Sequence, residues 1–167
     1  MINIVSKNKV SKKVTTKNIA ITGITAALYV VMTLAIAPLA YGAVQFRFSE
    51  LMVLFVYINP AFAPGLVLGC AIANCFSPLG IVDVIFGTMG TLCTVIAISK
   101  TKNLFVATLW PTVFCIFVSI ELYFISGLPF LATTATVMLG EFAVVTCIGY
   151  PLFKYILKNT KFIELLK

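Results

Sequence analysis

Histidine is absent from this chain of 167 residues, and charge is scarce: Lys and Arg number 12, Asp and Glu only 5. Without imidazole, most general-base, proton-shuttle and zinc chemistry is excluded. The five cysteines form no C-x-x-C pair and all sit in apolar segments, where they read as small packing residues. There is no G-x-x-x-x-G-K-[ST] loop, no G-x-S-x-G and no H-E-x-x-H. The chain therefore has no phosphate loop for ATP and no familiar hydrolase centre. With no nucleophile beside a base, an intramembrane enzyme is set aside as well. No internal repeat of the kind found in alternating-access transporters is evident.

What is present is apolar. Hydrophobic residues make up 61% of the chain and charged ones 10%, against about 25% charged in soluble domains. Such a surface cannot be hidden from water, but it dissolves in lipid. Positions 18–46, 51–82 and 84–99 carry no Asp, Glu, Lys or Arg, and 103–153 carry only Glu121 and Glu141. A span needs roughly 20 apolar residues, so these runs predict several crossings. The first run is too long, and too closely followed by others, for a cleaved signal peptide.

Helix one is expected over 18–37, ended by Pro38, with an external loop over 39–48. Ser49 and Glu50 open a second helix that ends near Ile58. A third runs over 61–76. Pro60, Pro64 and Pro78 break this stretch, so helices two and three are expected to be short and tilted. Helix four covers 79–99, helix five 104–125, and helix six begins between 130 and 135 and ends near 157. With six crossings, all eleven lysines (7, 9, 12, 13, 17, 100, 102, 154, 158, 161 and 167) fall on one side and Arg47 on the other. The positive-inside rule then places both termini in the cytoplasm. The expected architecture is an all-α membrane protein of six transmembrane helices. A basic segment (1–17) precedes the membrane domain (18–157) and a short tail (158–167) follows it. The net charge of +7 is topological and calls for no nucleic acid partner.

Four acids do not belong in lipid. Glu50, Asp83, Glu121 and Glu141 lie in or at the ends of spans, with Arg47 as the one nearby cation. A carboxylate at a helix centre costs about 2.5–3.5 kcal/mol on insertion scales, so protons, a cation or a donor-rich ligand must offset them. Glu121 is expected roughly 9 Å below the external turn, and Glu141 about 10–12 Å below it. Asp83, Asn74, Gln45 and Arg47 lie toward the same side. These groups predict a pocket in the outer half of the bundle, open outward. Arg47 has two candidate partners, Glu50 three residues on and Asp83; alternatively Glu50 simply starts a helix. Trp110, eleven residues before Glu121, is either a stacking residue or ordinary packing. Gly65, Gly69 and Ala73 form one small-residue ladder, and Gly23 and Ala27 another on helix one, where a partner subunit could dock.

The segments AITGITAALYVVMTLAIAPLAYGAVQFRFSELMVLF and NPAFAPGLVLGCAIANCFSPLGIVDVIFGTMGT carry a resemblance. Tyr41-Gly42, Gln45-Phe46-Arg47, Ser49-Glu50, Gly69-Cys70, Ala73-Asn74, Ser77-Pro78-Leu79-Gly80 and Asp83-x-x-x-Gly87 are specific together. The sequence resembles the queuosine-precursor transporter (QueT) family over about 19–155. The family's members are substrate-binding S components of energy-coupling factor (ECF) transporters. The resemblance implies a plasma-membrane bundle of six helices, no cofactor, and partners consisting of a T subunit and two ABC ATPase subunits. It also implies a cycle in which the S component topples in the membrane. An A-x-x-x-A docking motif on the first helix would correspond to Gly23 and Ala27, with Gly in place of one Ala. The implied ligand is a 7-deazaguanine, whose N1–H and 2-amino group suit a carboxylate. The amine of the 7-aminomethyl compound or of queuine suits a second one. Glu121 and Glu141 are expected to divide these, with Asp83, Asn74 and Gln45 completing the site and Arg47 anchoring the loop. Two other readings stay open: a proton- or sodium-coupled secondary transporter, and an S component for another cationic vitamin such as thiamine.

Overall fold

The computed structural model describes residues 15–42 and 44–166. Most of the basic segment over 1–17, with Lys7, Lys9, Lys12 and Lys13, and also Lys167, lies outside the described residues. Seven helical segments longer than one turn follow in chain order, and no strand occurs among the described residues. They are α1 (Thr16–Ala35), α2 (Phe48–Ile58), α3 (Pro60–Asn74), α4 (Ile81–Lys100), α5 (Leu104–Ser126), α6 (Phe130–Ile156) and α7 (Thr160–Leu166). Four of them, α1, α4, α5 and α6, are long and apolar enough to cross a membrane.

The two short segments are short for a local reason. α2 is wound as a 3-10 helix over Phe48–Leu54 before an α turn at Phe55–Ile58, and α3 opens with a 3-10 turn at Pro60–Phe62. At about 2.0 Å rise per 3-10 residue and 1.5 Å per α residue, they reach roughly 20 and 24 Å, less than a hydrocarbon core of about 30 Å. Between them, Asn59 accepts from the Ala61 N–H at 3.0 Å, capping the start that Pro60 sets. α1 stops at Ala35 because Pro38 lacks an N–H; a one-turn helix over Ala37–Ala40 carries the chain into the loop.

Two of the long helices are distorted. α5 holds Pro111 in its interior and breaks at Cys115 between two α stretches. α6 turns into a π-helix over Phe142–Gly149. The distortions meet: Thr146 of the π stretch donates to the Thr108 carbonyl at 3.1 Å, one turn before Pro111. In lipid, backbone groups loosened by a proline need such partners.

Bonds at the turns gather the ends of the bundle. Tyr57 donates to the Lys102 carbonyl at 2.8 Å, and Asn59 to the Leu166 carbonyl at 2.9 Å. These bring the lysine-bearing turns together, and fold α7 back onto the α2–α3 corner with Ile163 buried. At the other end, Tyr41 donates to the Ala73 carbonyl at 2.6 Å, and Arg47 reaches Asp83. The core between holds Tyr29, Leu54, Leu66, Val95, Ile98, Val144, Val145 and Phe153. The outward faces carry Ile24, Leu28, Ile85, Met89, Ile96 and Leu131, as a lipid-facing bundle requires.

α1 and α3 pack at glycine. A methyl on Gly69 would stand 2.8 Å from Tyr29 Cβ and 2.9 Å from the Ala26 carbonyl. One on Gly65 would stand 2.7 Å from the Thr22 carbonyl. The Gly65–Gly69–Ala73 ladder is therefore used inside the chain, against α1. Gly23 has nothing within 4 Å of where its Cβ would be, and Gly23 and Ala27 are both exposed. The Gly69→Ala variant should lose about 1–3 kcal/mol of stability, the range for overpacking, while Gly23→Ala, with open space for its methyl, should leave it unchanged or raise it by up to about 1 kcal/mol. Thermal unfolding of the two purified variants in one detergent checks this.

Candidate functional site

The site begins with where the cation goes. Arg47 follows Gln45, whose φ of 48° is left-handed and uncommon for a residue with a Cβ. That twist sends the loop inward, and both side chains are buried. The Arg47 guanidinium pairs with Asp83 Oδ2 at 3.4 Å, its Nε donates to the Ala40 carbonyl at 3.2 Å, and it lies 5.3 Å from the centre of the Tyr41 ring. Of its two candidate partners, Arg47 is thus bonded to Asp83 on α4. Asn74 supports the carboxylate's backbone: its Nδ2 donates to the Asp83 carbonyl at 3.0 Å. The amide lies so close to Gly87 that any side chain there would strike it.

Glu50 is bonded elsewhere. It lies in the first turn of α2, and the Tyr29 hydroxyl of α1 donates to its Oε1. Beside it Thr33 donates to the Tyr29 carbonyl at 2.9 Å and is hydrogen-bonded to the Ser49 hydroxyl at 2.7 Å. Tyr29, Thr33, Ser49 and Glu50 form a buried polar seam between α1 and α2. Such a seam is costly unless satisfied.

A cavity of about 40 Å³ opens inside the bundle, lined by Gln45, Arg47, Glu50, Thr91, Phe114 and Glu141 among others. That is room for a few water molecules. Glu141 is buried on this wall and makes no hydrogen bond among the described residues. The loop reaches α6 here because Gly140 has no side chain: a Cβ would overlap the Val44 carbonyl. With Arg47 engaged by Asp83, the wall presents two carboxylates, Glu50 and Glu141, and no free cation.

The remaining expected residues are set back. Asp83 and Asn74 stand behind the wall that Arg47 and Gly87 make. Glu121 is fully buried and outside the lining, where Val118 and Val137 form the cavity surface; neither of its oxygens has a hydrogen-bond partner. Trp110 is toward the lysine end, with its indole N–H on Thr101 Oγ1 at 2.9 Å. It stacks on Phe114, centroids 5.7 Å apart and 21° between planes, and Phe114 faces the cavity. Sequence reasoning passed over Tyr29 and Phe114, and read Glu50 as an ion-pair partner of Arg47 or a helix start; it does start α2, and it also lines the cavity. A tyrosine hydroxyl in mid-span needs a partner, and that was the available signal.

A family model described as QueT transporter matches residues 19–158. A protein named Queuosine precursor transporter QueT, from Lactococcus lactis subsp. cremoris (strain MG1363), is 32% identical over 149 residues, covering 79% of this chain and 88% of that one. No solved structure matches.

The two buried acids of α4 and α5 should respond oppositely to replacement. Asp83→Ala strands the Arg47 charge and should cost about 3–5 kcal/mol. Glu121→Leu removes an acid whose oxygens lack partners and should leave stability unchanged or raise it by about 1–4 kcal/mol. Melting temperatures of the two variants, measured side by side, check the contrast.

Proposed function

The chain belongs to the QueT transporter family, and we propose that it is the substrate-binding S component of an ECF importer for a 7-deazaguanine precursor of queuosine. The relative's name supports the substrate. The observation that carries the reading on this chain is the Glu141 carboxylate. It is buried on a cavity wall without a hydrogen bond, while the nearby cation is held by Asp83. A ligand rich in N–H donors answers that imbalance.

Six crossings with both termini in the cytoplasm suit this role. The four long helices and two shorter ones supply six apolar segments, and the lysines fall on one side of them. Glu141 and Glu121 share the ligand's donors, Glu121 once the Val118–Val137 wall parts. Gln45 and Arg47 close the outer side, Asp83 and Asn74 hold Arg47 in place, and Trp110 backs the Phe114 ring on which a base would stack. Ligand pockets run to about 300–1,000 Å³, so a cavity of 40 Å³ must widen to admit one. The broken helices α5 and α6 are the parts built to give.

Energy comes from partners, a T subunit and two ABC ATPases. Ala20, Gly23, Ile24, Ala27, Leu28 and Val31 make one exposed face of α1, and small residues there allow close approach of another helix. Toppling of the whole S component would then carry the cavity across.

Binding of tritiated 7-aminomethyl-7-deazaguanine should fall about 10- to 100-fold in Glu141→Gln and in Glu121→Gln, as for hydrogen bonds to charged groups; undiminished affinity in both sinks the site. Ala27→Leu should bind normally yet abolish uptake in cells. Uptake that persists without the ATPases and collapses with the ion gradient would favour a secondary transporter instead.

A further inference from the structure

Three carboxylates could meet a ligand in this bundle, and they differ in how many oxygens they have to offer. Glu141 faces the cavity with both oxygens free of hydrogen bonds among the described residues. Glu50 faces the same cavity, but Tyr29 occupies Oε1. Glu121 is behind the wall. A guanine-like edge presents two parallel N–H donors and needs both oxygens of one carboxylate. An alkylammonium is a single point of charge, and one carboxylate oxygen suffices for it.

We propose that Glu50, rather than serving only as the start of α2, is the residue that recognises the ligand's amine, and that Tyr29 is the positioning residue that aims it. This rests on the 7-deazaguanine reading above and deepens it. Three observations converge on it. Glu50 lines the cavity although its main chain belongs to a short helix at the rim. Its neighbour Arg47, which lines the same cavity, is bonded to Asp83 rather than to it. Its orientation is fixed from α1, because Tyr29 is fully buried and Thr33 and Ser49 tie the same two helices together. Arg47, the nearby cation, is already committed, so a ligand amine would supply the charge that the Glu50–Glu141 wall lacks. Selectivity for an aminomethyl over a cyano substituent would then reside in Glu50, while affinity for the ring resides in Glu141 and, once the wall parts, in Glu121.

Equilibrium binding of the purified full chain to two compounds tests this: 7-aminomethyl-7-deazaguanine and 7-cyano-7-deazaguanine. In Glu50→Gln the aminomethyl compound should bind about 10- to 100-fold more weakly, and the cyano compound within about threefold of wild type. Tyr29→Phe should lower the aminomethyl-to-cyano affinity ratio about three- to tenfold, which a purely structural loss would not do. Equal losses for both compounds in Glu50→Gln, or no loss for either, overturn the proposal while leaving the ligand class intact. Wild-type protein that binds neither compound overturns the ligand class and this proposal with it. Should Glu50→Gln not fold, Tyr29→Phe decides alone, and an unchanged ratio overturns the assignment.

Discussion

The guanidinium of Arg47 can neutralise one carboxylate in a bundle that buries four, and it is bonded to Asp83. Everything at that end of the bundle depends on that choice. The pair ties the 41–47 loop to the first turn of α4, and the Ala40 carbonyl and Tyr41 ring fix the guanidinium from behind. Taking two charges out of water costs several kcal/mol per ion, which the attraction offsets only with good geometry and further hydrogen bonds. The loop is thereby held at that end, and Glu50 and Glu141 are left facing a small cavity whose cation, Arg47, is already bonded to Asp83.

α1 links the two tasks proposed for this chain. Its inner face carries Thr25, Ala26, Tyr29 and Thr33, packed against the glycines of α3 and the polar start of α2. Its outer face carries Gly23 and Ala27, both exposed among the described residues, with open space beside Gly23. One helix thus holds a residue bonded to a cavity carboxylate on one side and a surface suited to another helix on the other. The small-residue ladders look alike in sequence yet differ in use. That on α3 is consumed internally, and that on α1 is left open.

The broken helices give the bundle its capacity to change. Pro111 and Cys115 interrupt α5 and the π stretch interrupts α6, and both Pro111 and Cys115 line the cavity. Irregular backbone at membrane depth is tolerated where it is buried in protein or lines a cavity. π segments are often found at functional sites. A wall built from such segments, rather than from straight helices, is one that a base could part.

Much of the fold was legible because lipid is a demanding solvent. Charge-free runs and prolines at 38, 60 and 78 marked helical segments α1 to α6 within a few residues, while α7 lies in what read as a tail. They also marked two of those segments as short. The acids at 50, 83, 121 and 141 were visible as residues that hydrocarbon rejects. Which of them share a space was not visible, since that depends on helix rotation and on a 3-10 winding that hydropathy does not encode. Arg47 is three residues from Glu50 and thirty-six from Asp83, yet its bond is to the distant one. Glu121 and Glu141 read as equals in sequence; the kink in α5 leaves Glu121 behind Val118 while Glu141 reaches the cavity. By itself the sequence determined that this chain dissolves in membrane and gathers acids at one end, because transfer energies are local and additive along the chain. Only the tertiary structure decided which acid is paired, which is tethered by Tyr29 and which is free. Partnership is set by a few ångströms of packing between segments far apart in sequence.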